Sequence, residues 1–190
     1  YGISGSPSSL SASSSVTATG VTYAYGISGW AGSVSGSTIT ATSSSSYAYG
    51  ISGKVLANFD GGTITVTVAT YAYGISGTVQ GNVQNSSTIT ANGGSSTSYG
   101  ISGEVLGSIL SSTISSTSTA DRAFAFKTSA QWIDINASTL TASGSESARA
   151  IGWYATSNIT GTITSSTLTA TATAPPEAAR ITAAIYLDSN

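Results

Sequence analysis

Tyr1-Gly-Ile-Ser-Gly5 recurs as Tyr25–Gly29, Tyr49–Gly53, Tyr73–Gly77 and Tyr99–Gly103, at intervals of 24, 24, 24 and 26 residues. A near-constant period of this length means that one supersecondary unit is stacked on itself, which predicts a quasi-one-dimensional fold. Working outward from the pentapeptide, each repeat divides into three short segments separated by Gly- and Ser-rich corners. In the third repeat these are Tyr47 to Gly53, Val55 to Phe59, and Thr63-Ile-Thr-Val-Thr67. Within each segment side-chain character alternates with period two, the signature of a strand and not of a helix. Thr, Val, Ile and Tyr are strand-favouring residues, and the corner glycines argue further against helix.

Beyond Gly103 the pentapeptide decays while the pattern persists. Phe124-Ala-Phe126 takes the place of Tyr-Ala-Tyr, followed by Trp132 to Ile135 and Thr139-Leu-Thr141. A last coil contains Ile151-Gly-Trp153 and Thr167-Leu-Thr-Ala-Thr171. The expectation is an all-β parallel β-solenoid (β-helix) over residues 1–174, with about seven coils of 24–28 residues and three short strands per coil. Pro175-Pro176 interrupts the periodicity, because proline cannot donate to a continuing ladder. Residues 175–190 are therefore expected to form a closing or linking strand, around Ile181 to Leu187.

Three inward columns follow from this register. Val16, Ile39, Ile64, Ile89, Ile114, Leu140 and Leu168 form one; Ile27, Ile51, Ile75 and Ile101 a second; Val34, Phe59, Val83, Ile109, Ile135 and Ile163 a third. Tyr25 shares the parity of Ile27, so strict alternation sends the tyrosine ladder inward or to a corner. The opposite parity, Ala24, Gly26 and Ser28 with their counterparts, is then expected to form a flat, charge-free outer face.

Composition limits the functions available. Only 6% of residues are charged, yet 39% are hydrophobic and recur in register, which favours an ordered core over a disordered low-complexity tract. Five basic and seven acidic residues leave a net charge of -2, with no basic footprint for nucleic acid. No apolar run approaches the roughly 18 residues of a membrane span. The chain lacks cysteine and histidine, which removes disulfides, thiolate metal sites and histidine-based triads. The carboxylates Asp60, Glu104, Asp121, Asp134, Glu146, Glu177 and Asp188 fall at unrelated phases of the repeat. Polysaccharide-cleaving sites need acids brought together, so the expectation is no enzyme, no cofactor and no metal. Opening at Tyr1 without Met, the chain reads as a processed product or an excised piece.

The sharpest outward pattern is Thr-x-Thr. Thr38, Thr63, Thr88, Thr113, Thr139 and Thr167 make one rank; Thr17, Thr40, Thr65, Thr90, Ser115, Thr141 and Thr169 the next. A more ragged third rank holds Thr19, Thr42, Thr67, Asn92, Thr117, Ser143 and Thr171. The threonines of the first two ranks are the candidate binding residues. Threonine is also the ordinary exposed residue of a strand, being β-branched and polar.

Ser37-Thr-Ile-Thr-Ala-Thr42 together with Ala24-Tyr-Gly-Ile-Ser-Gly29 resembles repeats of bacterial surface β-solenoids, the autotransporter passenger and adhesin-like proteins. The Thr-x-Thr ranks also resemble the binding face of β-solenoid antifreeze proteins. These resemblances imply an extracellular or cell-surface location and a non-enzymatic structural or adhesive role, as surface protein or fibre subunit, with ice binding as the alternative. The implied partners are a host surface, a glycan or ice, and further copies of the chain, meeting end to end or through the flat Ala/Gly/Ser face.

Overall fold

The computed structural model describes residues 1–154, 160–173 and 181–188, and these form a parallel β-solenoid with three sheets and no helix. Each coil contributes one strand to each sheet, as in Tyr47–Ser52, Phe59–Asp60 and Thr63–Val68. The tyrosine sheet has eight strands, from Ile3–Ser4 to Ile181–Asp188; the threonine sheet has seven, from Ser15–Gly20 to Thr167–Ala172. A sheet of six short strands, from Val34–Ser35 to Ile163–Thr164, closes the third side. Six complete turns separate the first threonine strand from the seventh, which is the seven-coil reading counted from strand to strand. Pro175 and Pro176 lie outside the described residues. Ile181–Asp188 pairs in parallel with Ser147–Tyr154 and so continues the tyrosine sheet.

The three expected hydrophobic columns are present in register, except that Ile163, in the last strand of the short sheet, is exposed and not inward. Ile39 pairs with Ile64, Ile64 with Ile89 and Ile89 with Ile114. Ile27, Ile51, Ile75 and Ile101 stack likewise, and Val34, Phe59, Val83 and Ile109 follow in the short sheet. These side chains are buried, each contributing about 1.5–3 kcal/mol relative to exposure. A fourth column, Ala31, Val55, Val79 and Val105, lines the corner between the tyrosine and short sheets and is also fully buried.

The tyrosine strands depart from the expected alternation. In Tyr47–Ser52, Ala48, Gly50 and Ile51 are all buried, while Tyr47, Tyr49 and Ser52 are partly exposed. Two consecutive residues, Gly50 and Ile51, therefore face inward, and the pairing register passes from Tyr49 to Ile51 without Gly50. The cause is a steric one. A Cβ on Gly26 would approach Ile39 Cγ2 to 2.4 Å, on Gly50 Ile64 Cγ2 to 2.3 Å, and on Gly74 Ile89 Cγ2 to 2.4 Å. Only glycine leaves room for the isoleucine column of the threonine sheet to cross the interior. Counting parity through that glycine inverts the strand: the tyrosines face outward and the alanines inward. The flat outer Ala/Gly/Ser face, and self-association through it, are corrected accordingly, since Ala24, Ala48 and Ala72 are wholly buried.

Buried polar ladders hold the corners. Ser37, Ser87 and Ser138 sit at the turn from the short sheet into the threonine sheet, their hydroxyls donating to backbone carbonyls. Asn58 Oδ1 accepts from the Asn82 amide, and Asn82 Oδ1 from the Ser108 amide, each at 2.9 Å. Such bonds satisfy backbone donors that a turn would otherwise leave unpaired.

Candidate binding face

The threonine sheet is a nearly uninterrupted grid. Its registers place Ser15, Thr38, Thr63, Thr88, Thr113, Thr139 and Thr167 in one line across seven strands. Thr17, Thr40, Thr65, Thr90, Ser115, Thr141 and Thr169 form the second line, and the third runs from Thr19 to Thr171. All twelve candidate threonines thus lie on one face, as their spacing predicts. Of the 21 outward positions 17 are threonine, the others are Ser15, Ser115, Ser143 and Asn92, and none carries a charge. Neighbouring positions are separated by about 4.8 Å between coils and about 6.7 Å along a strand. Hydroxyls in adjacent coils come into contact: Ser115 Oγ donates to Thr90 Oγ1 at 3.1 Å. The face is rigid because alternate residues of the same strands, such as Ile64 and Val66, are fully buried behind it.

In comparisons with known proteins, no family model, no curated protein and no solved structure matches the chain. The fold and its faces therefore carry the functional argument by their geometry.

The tyrosine sheet presents two outward ring columns. Tyr1, Tyr25, Tyr49, Tyr73, Tyr99 and Phe124 stack with centroids 4.8–5.2 Å apart and ring planes within 16°. Tyr23, Tyr47 and Tyr71 form a parallel column, offset 6.2 Å from the first. Arg149, buried, continues the longer column with its guanidinium carbon 5.1 Å from the Phe124 ring centroid. Between the ends of a column each ring face is covered by the next ring. Sugar stacking needs an open aromatic face, so the interior of each column offers edges and hydroxyls and not a glycan platform. Burial, with neighbouring tyrosines second, pushes the Tyr49 hydroxyl up to about 12 and the Tyr73 hydroxyl up still further.

The carboxylates tie coils together. Asp60 accepts from Gln84 Nε2 at 2.9 Å and Asn85 Nδ2 at 2.8 Å, both one coil on. Asp121 accepts from Thr97 Oγ1 at 2.9 Å and pairs with Arg122 at 3.3 Å, the local pair that their adjacency suggests. Asp134 Oδ1 accepts from both the amide and the hydroxyl of Thr162 at 2.8 Å. Among the described residues no three acidic side chains come together in a metal-binding group. Glu177 lies outside the described residues.

Proposed function

We propose that the protein is a non-enzymatic structural and adhesive β-solenoid of the extracellular or cell-surface kind, with the threonine grid as its contact surface. One observation carries this reading: 21 outward positions in strict register, 17 of them threonine and none charged, on a rigid backing. Six coil spacings by two residue-pair spacings give a face of about 29 by 13 Å. That is about half the roughly 800 Å² per partner of a standard protein interface. A face of this size binds weakly by itself and gains most from a ligand that repeats at its own spacing, because regular contacts then add along the rod.

Ice is a second reading, favoured by the alternation of methyl and hydroxyl groups at two regular spacings, which would order a water layer. The test compares the full chain with a Thr65→Tyr/Thr90→Tyr variant, whose rings break the plane of the grid. Adhesion predicts retention on crystalline chitin or cellulose that the variant loses. Ice binding predicts thermal hysteresis that the variant loses. A chain that shows neither retention nor hysteresis overturns both.

A further inference from the structure

One corner of the rod lengthens along the chain, from six residue steps between Ser28 and Val34 to eleven between Gly152 and Ile163. From the tyrosine sheet to the short sheet, the chain takes seven residue steps between Ser76 and Val83, and seven between Ser102 and Ile109. The next coil takes eight, from Lys127 to Ile135. Two adjoining depressions that share Ser129 lie at the eight-step corner. The larger, about 390 Å³, is lined by Glu104, Leu106, Gln131 and Trp132; the smaller, about 200 Å³, by Ser102, Lys127 and Thr128. The larger falls within the usual size of small-ligand sites, about 300–1,000 Å³.

Its chemistry is mixed in a particular way. Trp132 is 55% and Leu106 56% exposed, two large apolar side chains left in water. Trp132 is nevertheless held by a backbone bridge to Thr160. Unlike the rings of the tyrosine columns, its indole stacks on no other ring among the described residues. Around this apolar floor stand a carboxylate, a primary amide and a hydroxyl: Glu104, Gln131 and Ser129. Apolar C–H faces rimmed by hydroxyls are the surface of a pyranose ring, and an aromatic floor with a polar rim is its complement. The smaller depression is different in sign. Lys127 lies in its wall, with Nζ 5.3 Å from the Tyr99 ring centroid. Burial, followed by the positive charges of Arg122 and Arg149, lowers its pKa.

We propose that this corner binds a short acidic saccharide, with a neutral pyranose on Trp132 and the carboxylate or sulfate of the adjoining residue at Lys127. The proposal rests on the non-enzymatic binding reading, and not on the threonine grid.

The experiment is a printed array of neutral and acidic oligosaccharides probed with the full chain. Titration of the bound sugars, read by tryptophan fluorescence or calorimetry, follows for the variants. Expected hits are acidic saccharides; Trp132→Ala weakens them at least tenfold with an unchanged circular dichroism spectrum. Lys127→Met removes the preference for acidic over neutral sugars, and Lys127→Arg restores it. Thr65→Tyr/Thr90→Tyr leaves saccharide binding unchanged even where it abolishes retention on chitin or cellulose, so failure of the grid and failure of the corner are read separately. Absence of any acidic hit, equal binding of neutral sugars, or wild-type affinity in Trp132→Ala overturns the proposal.

Discussion

Gly50 faces Ile64 across the interior so closely that a Cβ on the glycine would lie 2.3 Å from Ile64 Cγ2. The same Cβ would meet the carbonyl oxygen of Gly74 at 2.5 Å, a contact that only a backbone shift can relieve. Gly50→Ala is expected to destabilise the fold by about 1–3 kcal/mol or more, the range typical of overpacking. Ser52→Ala, two residues on and facing out, is expected to cost under about 0.5 kcal/mol. Urea titrations of the two variants check the contrast.

A second packing relationship is specific to one coil. The turn into each threonine strand has serine at Ser37, Ser87, Ser112, Ser138 and Ser166, but glycine at Gly62. The reason is Phe59, whose ring stands 2.8 Å from where a Gly62 Cβ would be, while its column neighbours are Val34 and Val83. Gly62→Ser and Phe59→Val should each destabilise, by about 1–3 kcal/mol. The double variant reproduces the neighbouring coils and should recover at least about 1 kcal/mol relative to additivity, measured in a double-mutant cycle.

Ser116 stands in an inward column between Ala91 and Ala142, and its hydroxyl is buried without a hydrogen-bond partner. Removing an unsatisfied buried hydroxyl relieves its desolvation cost, so Ser116→Ala should stabilise by about 1 kcal/mol. A lower urea midpoint for the variant would falsify this assignment.

The tyrosine ladder makes the protein sensitive to alkali. A tyrosine is neutral when protonated, and the fold raises the Tyr49 hydroxyl from 10.0 to about 12. Its contribution to stability is therefore complete below pH 10 and is lost as pH rises from there through about 12. Tyrosinate absorbance and circular dichroism should show ladder ionisation coinciding with loss of structure in that window. Tyr73→Phe keeps the stack, with centroids 4.8 Å from Tyr49 and 5.0 Å from Tyr99, and should shift the alkaline transition upward. Tyr73→Ala removes both ring contacts and should cost about 1–3 kcal/mol at neutral pH.

Period and register were legible in the chain because stacking forces equivalent residues to meet. Ile39, Ile64 and Ile89 had only to be aligned to reveal a column, and Thr40, Thr65 and Thr90 to reveal a rank. The inversion at Tyr49 was not legible by alternation, since the rule assumes an unbroken strand and Gly50 changes its direction. The steric demand on Gly50 comes from Ile64, on another sheet, and one strand read alone does not contain it. The corner depression depends on a similar non-local match. An eighth residue step before Ile135 has meaning only beside the seven steps before Ile109.

The stacked rings also have a mechanical consequence. From Tyr1 to Phe124 the centroids already stand 4.8–5.2 Å apart, so the column has little room to shorten. Curving the rod toward that side compresses several aromatic contacts at once against steep repulsion, whereas curving it away separates them against shallow attraction. The solenoid is thus a beam with an incompressible spine along one side, and its bending stiffness depends on the direction of the load.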